Sequence, residues 1–295
     1  MKYLSVAQTA KKWGVSERTV RNYCAAGKIP DAFLTGKTWN IPETARRPER
    51  INKKSDAPKT LLEVLKAEKA GKVKGGIYHK VQIELTYNSN HIEGSRLTYD
   101  QTRYIYETNT IGMENGAVNV DDIVETASHF KCIDMVIDAA NQPPSETFIK
   151  QLHRTLKSGT SDARKGWFAV GEYKKLPNEA GGQDTTPPEM VAKEIKELLA
   201  AYNERKTKTL EELIEFHAAF EAIHPFQDGN GRVGRLLECL RNNSVPFIID
   251  EESKMFYYRG LHEWKLERGY LMDTCLAAQD KFKKYLDYFR VPYEG

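Results

Sequence analysis

The sequence predicts a mainly α-helical protein of two unequal units, and three observations lead there. Beyond residue 60, apolar residues recur at helical intervals with little interruption, while strand signals are confined to two short places. The first 59 residues have a pattern and a charge of their own. Between the two, ETARRPERINKKSDAPK at residues 43–59 is charged, broken by Pro48 and Pro58 and nearly free of apolar side chains, which is the composition of a linker. The expected division is a small unit over 1–43, a linker over 44–59 and a helical domain over 60–295. A chain of 295 residues can bury a substantial core.

Composition narrows the function classes. No stretch approaches the ~18 consecutive apolar residues of a membrane span, and MKYLSVAQTAKKWG has no apolar signal-peptide segment. A cytoplasmic chain without membrane contact is the expectation. The four cysteines, Cys24, Cys132, Cys239 and Cys275, are scattered singly with no C-x-x-C pair, so they read as reduced, buried thiols. The net charge of +3 conceals an asymmetry: residues 1–59 hold 13 Lys+Arg against 5 Asp+Glu, or +8, and the remaining 236 carry −5. The basic part is the candidate for nucleic acid.

In that basic part, Ser5 and Gln8 have capping-box spacing at the start of a helix carrying Val6, Ala10 and Trp13. Gly14-Val15 turns the chain. Ser16 caps a second helix with Val20 and Tyr23 on its inner face and Arg18, Thr19, Arg21 and Asn22 outside. Residues 33–41 then read as a hairpin turned near Gly36, before Pro42. Helix, turn, helix, wing is the order of a winged helix-turn-helix. The stretch resembles the small MerR-like or excisionase-like DNA-binding modules, in which the second helix enters the major groove. A plain αα-hairpin is the alternative.

Beyond the linker, Leu61, Leu62, Val64 and Leu65 open one helix, and a longer one is expected over 78–93. Others are expected over 99–107, 120–140, 146–156, 189–204, 210–223, 231–241, 260–270 and 271–289. Residues 166–184, rich in glycine and aromatics, are the second place where a hairpin is expected.

One segment carries the chemistry: His224-Pro225-Phe226-Gln227-Asp228-Gly229-Asn230-Gly231-Arg232-Val233-Gly234-Arg235. A helix should stop before Pro225 and leave His224 at its end, beside a glycine-bearing loop. A second helix then starts near Gly231, offering free N–H groups and the positive dipole end to an anion, as a phosphate cradle does. Arg232 and Arg235, three apart on that helix, can both reach phosphate oxygens. Asp228 is placed as a hard oxygen ligand for Mg²⁺, and His224 can act as a base near neutral pH. These parts make a phosphoryl- or nucleotidyl-transfer site.

The string resembles the Fic motif, His-Pro-Phe-x-Asp/Glu-Gly-Asn-Gly-Arg-x-x-Arg, with every fixed position present. Beyond it the resemblance extends more loosely over most of 60–295. It implies a protein adenylyltransferase fold and activity, with AMP moved from ATP to a Ser, Thr or Tyr hydroxyl of a target protein. His224 would deprotonate that hydroxyl, and Asp228 would hold Mg²⁺. Gly229, Asn230, Gly231 and Arg232 would fix the α- and β-phosphates, and Arg235 would receive the γ-phosphate.

Three further readings follow from the same resemblance. Gly171-Glu172-Tyr173-Lys174-Lys175-Leu176-Pro177-Asn178, with Gly181-Gly182 beyond, resembles the start of the β-hairpin flap that docks the target, although the family more often has Arg where Lys174 stands. A plain surface hairpin is the alternative. Phe256, Tyr257 and Tyr258 offer stacking surfaces for the purine, or part of the core. Ser89-Asn90-His91-Ile92-Glu93-Gly94 matches the Ser/Thr-x-x-x-Glu-Gly/Asn inhibitory motif, with Ser89 and Glu93 at its fixed positions. At the end of its helix Glu93 faces the negative end of the macrodipole and gains from a cationic partner. The resemblance nominates Arg235, and a solvent-accessible pair of that kind is worth about 0–1 kcal/mol.

Two alternatives remain open at the level of sequence: removal of AMP at the same site, with Glu93 orienting a water, and a DNA-binding regulator whose Fic domain only senses nucleotide. A homo-oligomer is equally open, and the target and any operator are not legible.

Overall fold

The computed structural model describes residues 2–48, 60–112, 116–204, 208–238 and 245–293. The chain divides into two units, Met1–Ala57 and Pro58–Gly295.

In the first unit, α1 (Val6–Trp13) carries both halves of the Ser5–Gln8 capping box and ends on Gly14 in the left-handed region. Ser16 caps α2 (Glu17–Ala25). The wing is β2 (Phe33–Thr35) paired antiparallel with β3 (Thr38–Pro42), around the turn at Gly36. A strand not expected from sequence, β1 (Tyr3–Leu4), closes the other edge of β3 and gives the order β1-β3-β2. Two residues are too few to leave an alternating signature. Val6, Ala10, Val20, Cys24, Ile29 and Ile41 form the core, and Lys11, Lys12, Arg18, Arg21, Lys28 and Lys37 are exposed. Most of the expected linker, 49–59, lies outside the described residues.

The second unit is helical. In order come α3 (Leu61–Gly71), α4 (Ile77–His91), α5 (Tyr99–Thr108), α6 (Val120–Ala139), α7 (Glu146–Lys157), α8 (Pro188–Asn203), α9 (Leu210–Ile223), α10 (Asn230–Glu238), α11 (Lys254–His262) and α12 (Gly269–Phe289). Their apolar faces meet in one core that includes Leu65, Ile77, Val81, Ile133, Ile137, Ile149, Leu152, Phe220, Phe226, Val233, Leu237 and Phe282. A second cluster, with Ile92, Ile214, Tyr257, Leu271 and Cys275, joins α9 to α11 and α12. Cys24, Cys132 and Cys275 are buried; Cys239 and the end of the helix expected over 231–241 lie outside the described residues. No described helix is long and apolar enough to cross a membrane.

Three expectations are corrected. The helix expected over 260–270 begins earlier, at Lys254, so Phe256-Tyr257-Tyr258 is helical and puts its residues on different faces. The hairpin expected over 166–184 shrinks to β4 (Glu179–Ala180) and β5 (Gln183–Asp184), turned at Gly181-Gly182. Gly171–Asn178 is irregular because its polar groups are drawn to the motif loop described below. Finally, α4 stops at His91, so Glu93 lies in the turn beyond the helix rather than in its last turn.

Candidate active site

His224 ends α9. The helix starts with the Thr209–Glu212 capping box and is stopped by Pro225, and His224 takes the C-cap in the left-handed region (φ 52°), its N–H bonded to Phe220 O at 3.0 Å. A non-glycine residue there is uncommon and marks a held conformation. The ring Nδ1 lies 3.2 Å from Glu221 O. A carbonyl only accepts, so Nδ1 carries the proton and Nε2 keeps its lone pair. Burial lowers the His224 pKa and keeps the ring neutral at physiological pH.

The loop after His224 is shaped from inside. Asn230 accepts from Phe226 N at 2.7 Å and donates to Phe226 O at 2.8 Å, closing the turn across its base. Its side chain, expected among the phosphate-fixing groups, is therefore engaged by the loop itself. Phe226 is fully buried and stacks on His153 with ring centroids 3.9 Å apart. His153 accepts from Gly171 N at 2.9 Å and donates to Asp228 O at 3.1 Å, so one neutral imidazole ties the 171 segment to the loop. Lys174 adds to that tie: its N–H donates to Pro225 O at 2.9 Å, and its buried ammonium to Asn178 Oδ1 at 2.7 Å and Thr185 Oγ1 at 2.6 Å. Burial lowers its pKa to about 8.

The two arginines of α10 diverge. Arg232 turns to Glu125 of α6 and to Asp228, the latter at 3.1 Å. Arg235 reaches across to the end of α4, where it donates from Nε to Ser89 Oγ at 3.1 Å, from Nη2 to Ser89 O at 3.1 Å, and from Nη2 to Glu93 Oε1 at 2.6 Å. Its side chain is 2% exposed against 27% for Glu93. The pair is thus buried on the cationic side, unlike the exposed pair weighed from sequence. The same carboxylate lies against the start of α10: a Cβ on Gly231 would stand 2.2 Å from Glu93 Oε1. An anion of the chain itself occupies the N-terminal end of the motif helix.

Asp228 is held by two cations through one oxygen, Oδ2, at 2.7 Å from Lys157 Nζ and 3.1 Å from Arg232 Nη2. Burial pushes its carboxyl up, but Arg232 and Lys157 outweigh that and hold it at about 2. The side chain is half exposed and only Oδ2 is committed to the ion pairs, so a carboxylate oxygen is available to a hard cation. Among the described residues no group of three His, Cys, Asp or Glu gathers to cage a metal. The donor set suits Mg²⁺ that arrives with phosphates and keeps waters of its own.

Sequence reading missed Lys157. Its ammonium, 2% exposed, contacts Glu125 at 2.6 Å, Asp162 at 2.8 Å and Asp228 at 2.7 Å. The signal was present in α7: with Ile149, Leu152 and Leu156 facing the core, His153 and Lys157 fall on the same apolar face, where polar residues demand partners. Of the two readings of Tyr257, the core is the one its burial supports. Tyr257 is fully buried, with its hydroxyl 2.6 Å from His217 Nε2 and 3.5 Å from Arg235 Nη1, so it offers no free face to a purine. Phe256 and Tyr258 keep exposed surface.

With this geometry in view, residues 143–240 match the model of the Fic/DOC family. Over 230 residues the chain is 29% identical to Protein adenylyltransferase Fic of Drosophila melanogaster, covering 73% of this chain and 43% of that protein. It is 25% identical over 183 residues to Protein adenylyltransferase fic-1 of Caenorhabditis elegans, covering 60% and 35%. The chain therefore spans less than half the length of these relatives. A Fic-domain-containing signaling protein from Bacteroides thetaiotaomicron superposes with a TM-score of 0.57 at 28% identity, covering 77% of this chain and 90% of that one. Fic-1 of C. elegans, at a TM-score of 0.60 and 20% identity over 78% of this chain and 71% of that one, shares the fold.

Proposed function

We propose that this chain is a protein adenylyltransferase that moves AMP from ATP to a Ser, Thr or Tyr hydroxyl of a target protein, and that Glu93 restrains it. The observation that carries the reading is the Glu93 carboxylate lying against Gly231 and on Arg235. It stands where phosphate oxygens would sit, at a helix N-terminus beside a histidine with a free Nε2.

The hydroxyl oxygen attacks the α-phosphorus as the bond to the β-phosphate bridging oxygen breaks; pyrophosphate leaves and the hydroxyl proton passes to His224 Nε2. Backbone at Gly229 and Gly231, with Arg232, orients the α- and β-phosphates, and Arg235 receives the γ-phosphate once Glu93 withdraws. Asp228 would hold Mg²⁺, which neutralises phosphate charge when bound. The segment 171–178 is committed to the motif loop, so a target strand would add at the short hairpin 179–184 beyond it.

For the first unit we propose duplex DNA as partner. The support is a helix-turn-helix with wing whose second helix exposes Arg18 and Arg21, in a segment of charge +8. A cytoplasmic location accords with a nucleotide substrate and a DNA partner.

The test is incubation of the purified chain with ATP and Mg²⁺, with and without host lysate, followed by mass spectrometry for AMP adducts, beside His224→Ala. Loss of adducts in His224→Ala with ATP binding retained is the expected result, since general-base loss costs about 10²–10⁴ in rate. Adducts formed equally by both proteins would refute the mechanism. Loss of AMP from a pre-modified target, faster than its addition, would favour the hydrolytic alternative.

A further inference from the structure

Behind the base lies a carboxyl group with no task assigned above. Glu221 sits on the last turn of α9, three residues before His224, with its side chain 12% exposed. Its Oε1 is buried and has no hydrogen-bond partner among the described residues, and its Oε2 lies 4.0 Å from His224 Nδ1. Acidic side chains are seldom buried without a partner, so one placed against an imidazole calls for an explanation. The facing helix makes room for it: a Cβ on Gly234 would stand 2.4 Å from Glu221 Oε1, so the carboxyl rests directly on the backbone of α10.

We propose that Glu221 is a positioning residue for His224: its carboxylate, on the Nδ1 side of the ring, answers the positive charge that forms when Nε2 takes the hydroxyl proton. The inference rests on the transfer reading above. In the step, the new oxygen–phosphorus bond forms as the bond to the leaving pyrophosphate breaks. The hydroxyl proton ends on Nε2, the Nδ1 proton stays on the ring, and Glu221 exchanges no proton. The arrangement works only when Glu221 is ionised.

The groups that face this carboxyl set when that happens. Burial raises its pKa to about 8; Arg235 on α10 pulls it down and Glu93, beyond α4, pushes it up. His217 on α9, with a pKa lowered to about 3 by burial, and Tyr257 on α11, raised by burial, stay neutral through that range. Lys174 faces His224 from the 171–178 segment and lowers its pKa, while Asp228 and Glu93 raise it. Transfer should therefore rise with pH as Glu221 ionises. Without nucleotide, removal of Glu93 takes away a negative neighbour and moves that ionisation to lower pH.

Two readouts on the full chain test this. The first is the pH titration of the His224 ring by NMR, assigned with His224→Ala. The parent should show an alkaline step near pH 8, Glu93→Gly the same step at lower pH, and Glu221→Gln no such step. The second is labelled AMP transfer in the Glu93→Gly background. Adding Glu221→Gln should lower kcat by about tenfold or more and abolish the rising limb of the pH profile, with the KM for ATP within about twofold; Glu221→Asp should restore the limb. A rising limb that survives Glu221→Gln, or a parent ring with no alkaline step, overturns the proposal and leaves Glu221 a packing residue. If no variant transfers AMP, the transfer reading fails and the ring titration alone decides the place of Glu221; that titration in the parent and in Glu93→Gly needs no change at 221.

Discussion

A single guanidinium shows how burial changes the weight of a contact. Were the Glu93–Arg235 pair exposed, losing it would cost little. Arg235 is buried, and removing one partner of a buried pair costs about 3–5 kcal/mol, here lessened by the bonds that Ser89 and Tyr257 keep. Glu93→Gly should therefore melt below the parent without nucleotide and recover more than the parent does when ATP is added, because the γ-phosphate supplies the missing anion; differential scanning fluorimetry with and without ATP reads both. Lys157 is the stronger case. Lys157→Met leaves Glu125, Asp162 and Asp228 without their shared cation, and a fall of about 3–5 kcal/mol in urea unfolding is expected. A change under 1 kcal/mol would show that the three carboxylates find other partners. Histidines set the pH limit. His129, His153 and His217 are fully buried, and burial lowers each pKa to about 3, so the folded chain holds them neutral while the unfolded chain protonates them below about 6.5. Their contribution is complete above that value and lost as pH falls toward 3, so Tm should decline progressively in acid from about pH 6.5.

Among the elements, those with a strong local signature were legible and those made by tertiary partners were not. The Ser5–Gln8 capping box, the Pro225 stop and the glycine-bearing helix start all read directly from sequence because each is settled within four or five residues. The 171–178 segment did not. Its place in 166–184, a stretch rich in glycine and aromatics, suggests a hairpin, yet its N–H and side-chain groups go to Pro225, Phe226 and Gln227, which lie some fifty positions away. The start of α11 was missed for a related reason: Phe256-Tyr257-Tyr258 reads either as a stacking surface or as core, and only the packing of α12 beside Tyr257 decides for core there. Contact between those helices is close enough to test. A Cβ on Gly260 would stand 2.7 Å from the backbone of Leu271, which cannot give as a side-chain tip would. Gly260→Ala should cost about 1–3 kcal/mol in denaturant unfolding, and an unchanged midpoint would mean that the crossing relaxes freely.

At the level of the whole molecule, charge distinguishes the two units, with +7 in residues 1–57 and −4 in the rest. DNA affinity of the full chain should fall steeply as salt rises, and Arg18→Ala with Arg21→Ala should weaken it and flatten the salt slope; gel shifts that show no binding at low salt would oppose a DNA role. Arg21 shares its charge with Glu17 at 3.0 Å, so Arg18 should account for more of the loss. The catalytic candidates were legible together because His224, Asp228, Gly231, Arg232 and Arg235 fall in one twelve-residue string. Lys157, Glu125 and Glu221 were not, since only the packing of α6, α7 and α9 around α10 brings them to it. The central claim is that a carboxylate of the chain itself stands in the place of phosphate and holds the enzyme back. Labelled AMP incorporation, measured at equal ATP and Mg²⁺ for the parent, Glu93→Gly, Arg235→Ala and the double variant, tests it most directly. The account predicts a gain in Glu93→Gly alone, no gain in Arg235→Ala, and loss of the gain in the double variant, as expected of two residues acting through one contact. Equal incorporation by the parent and Glu93→Gly would contradict it.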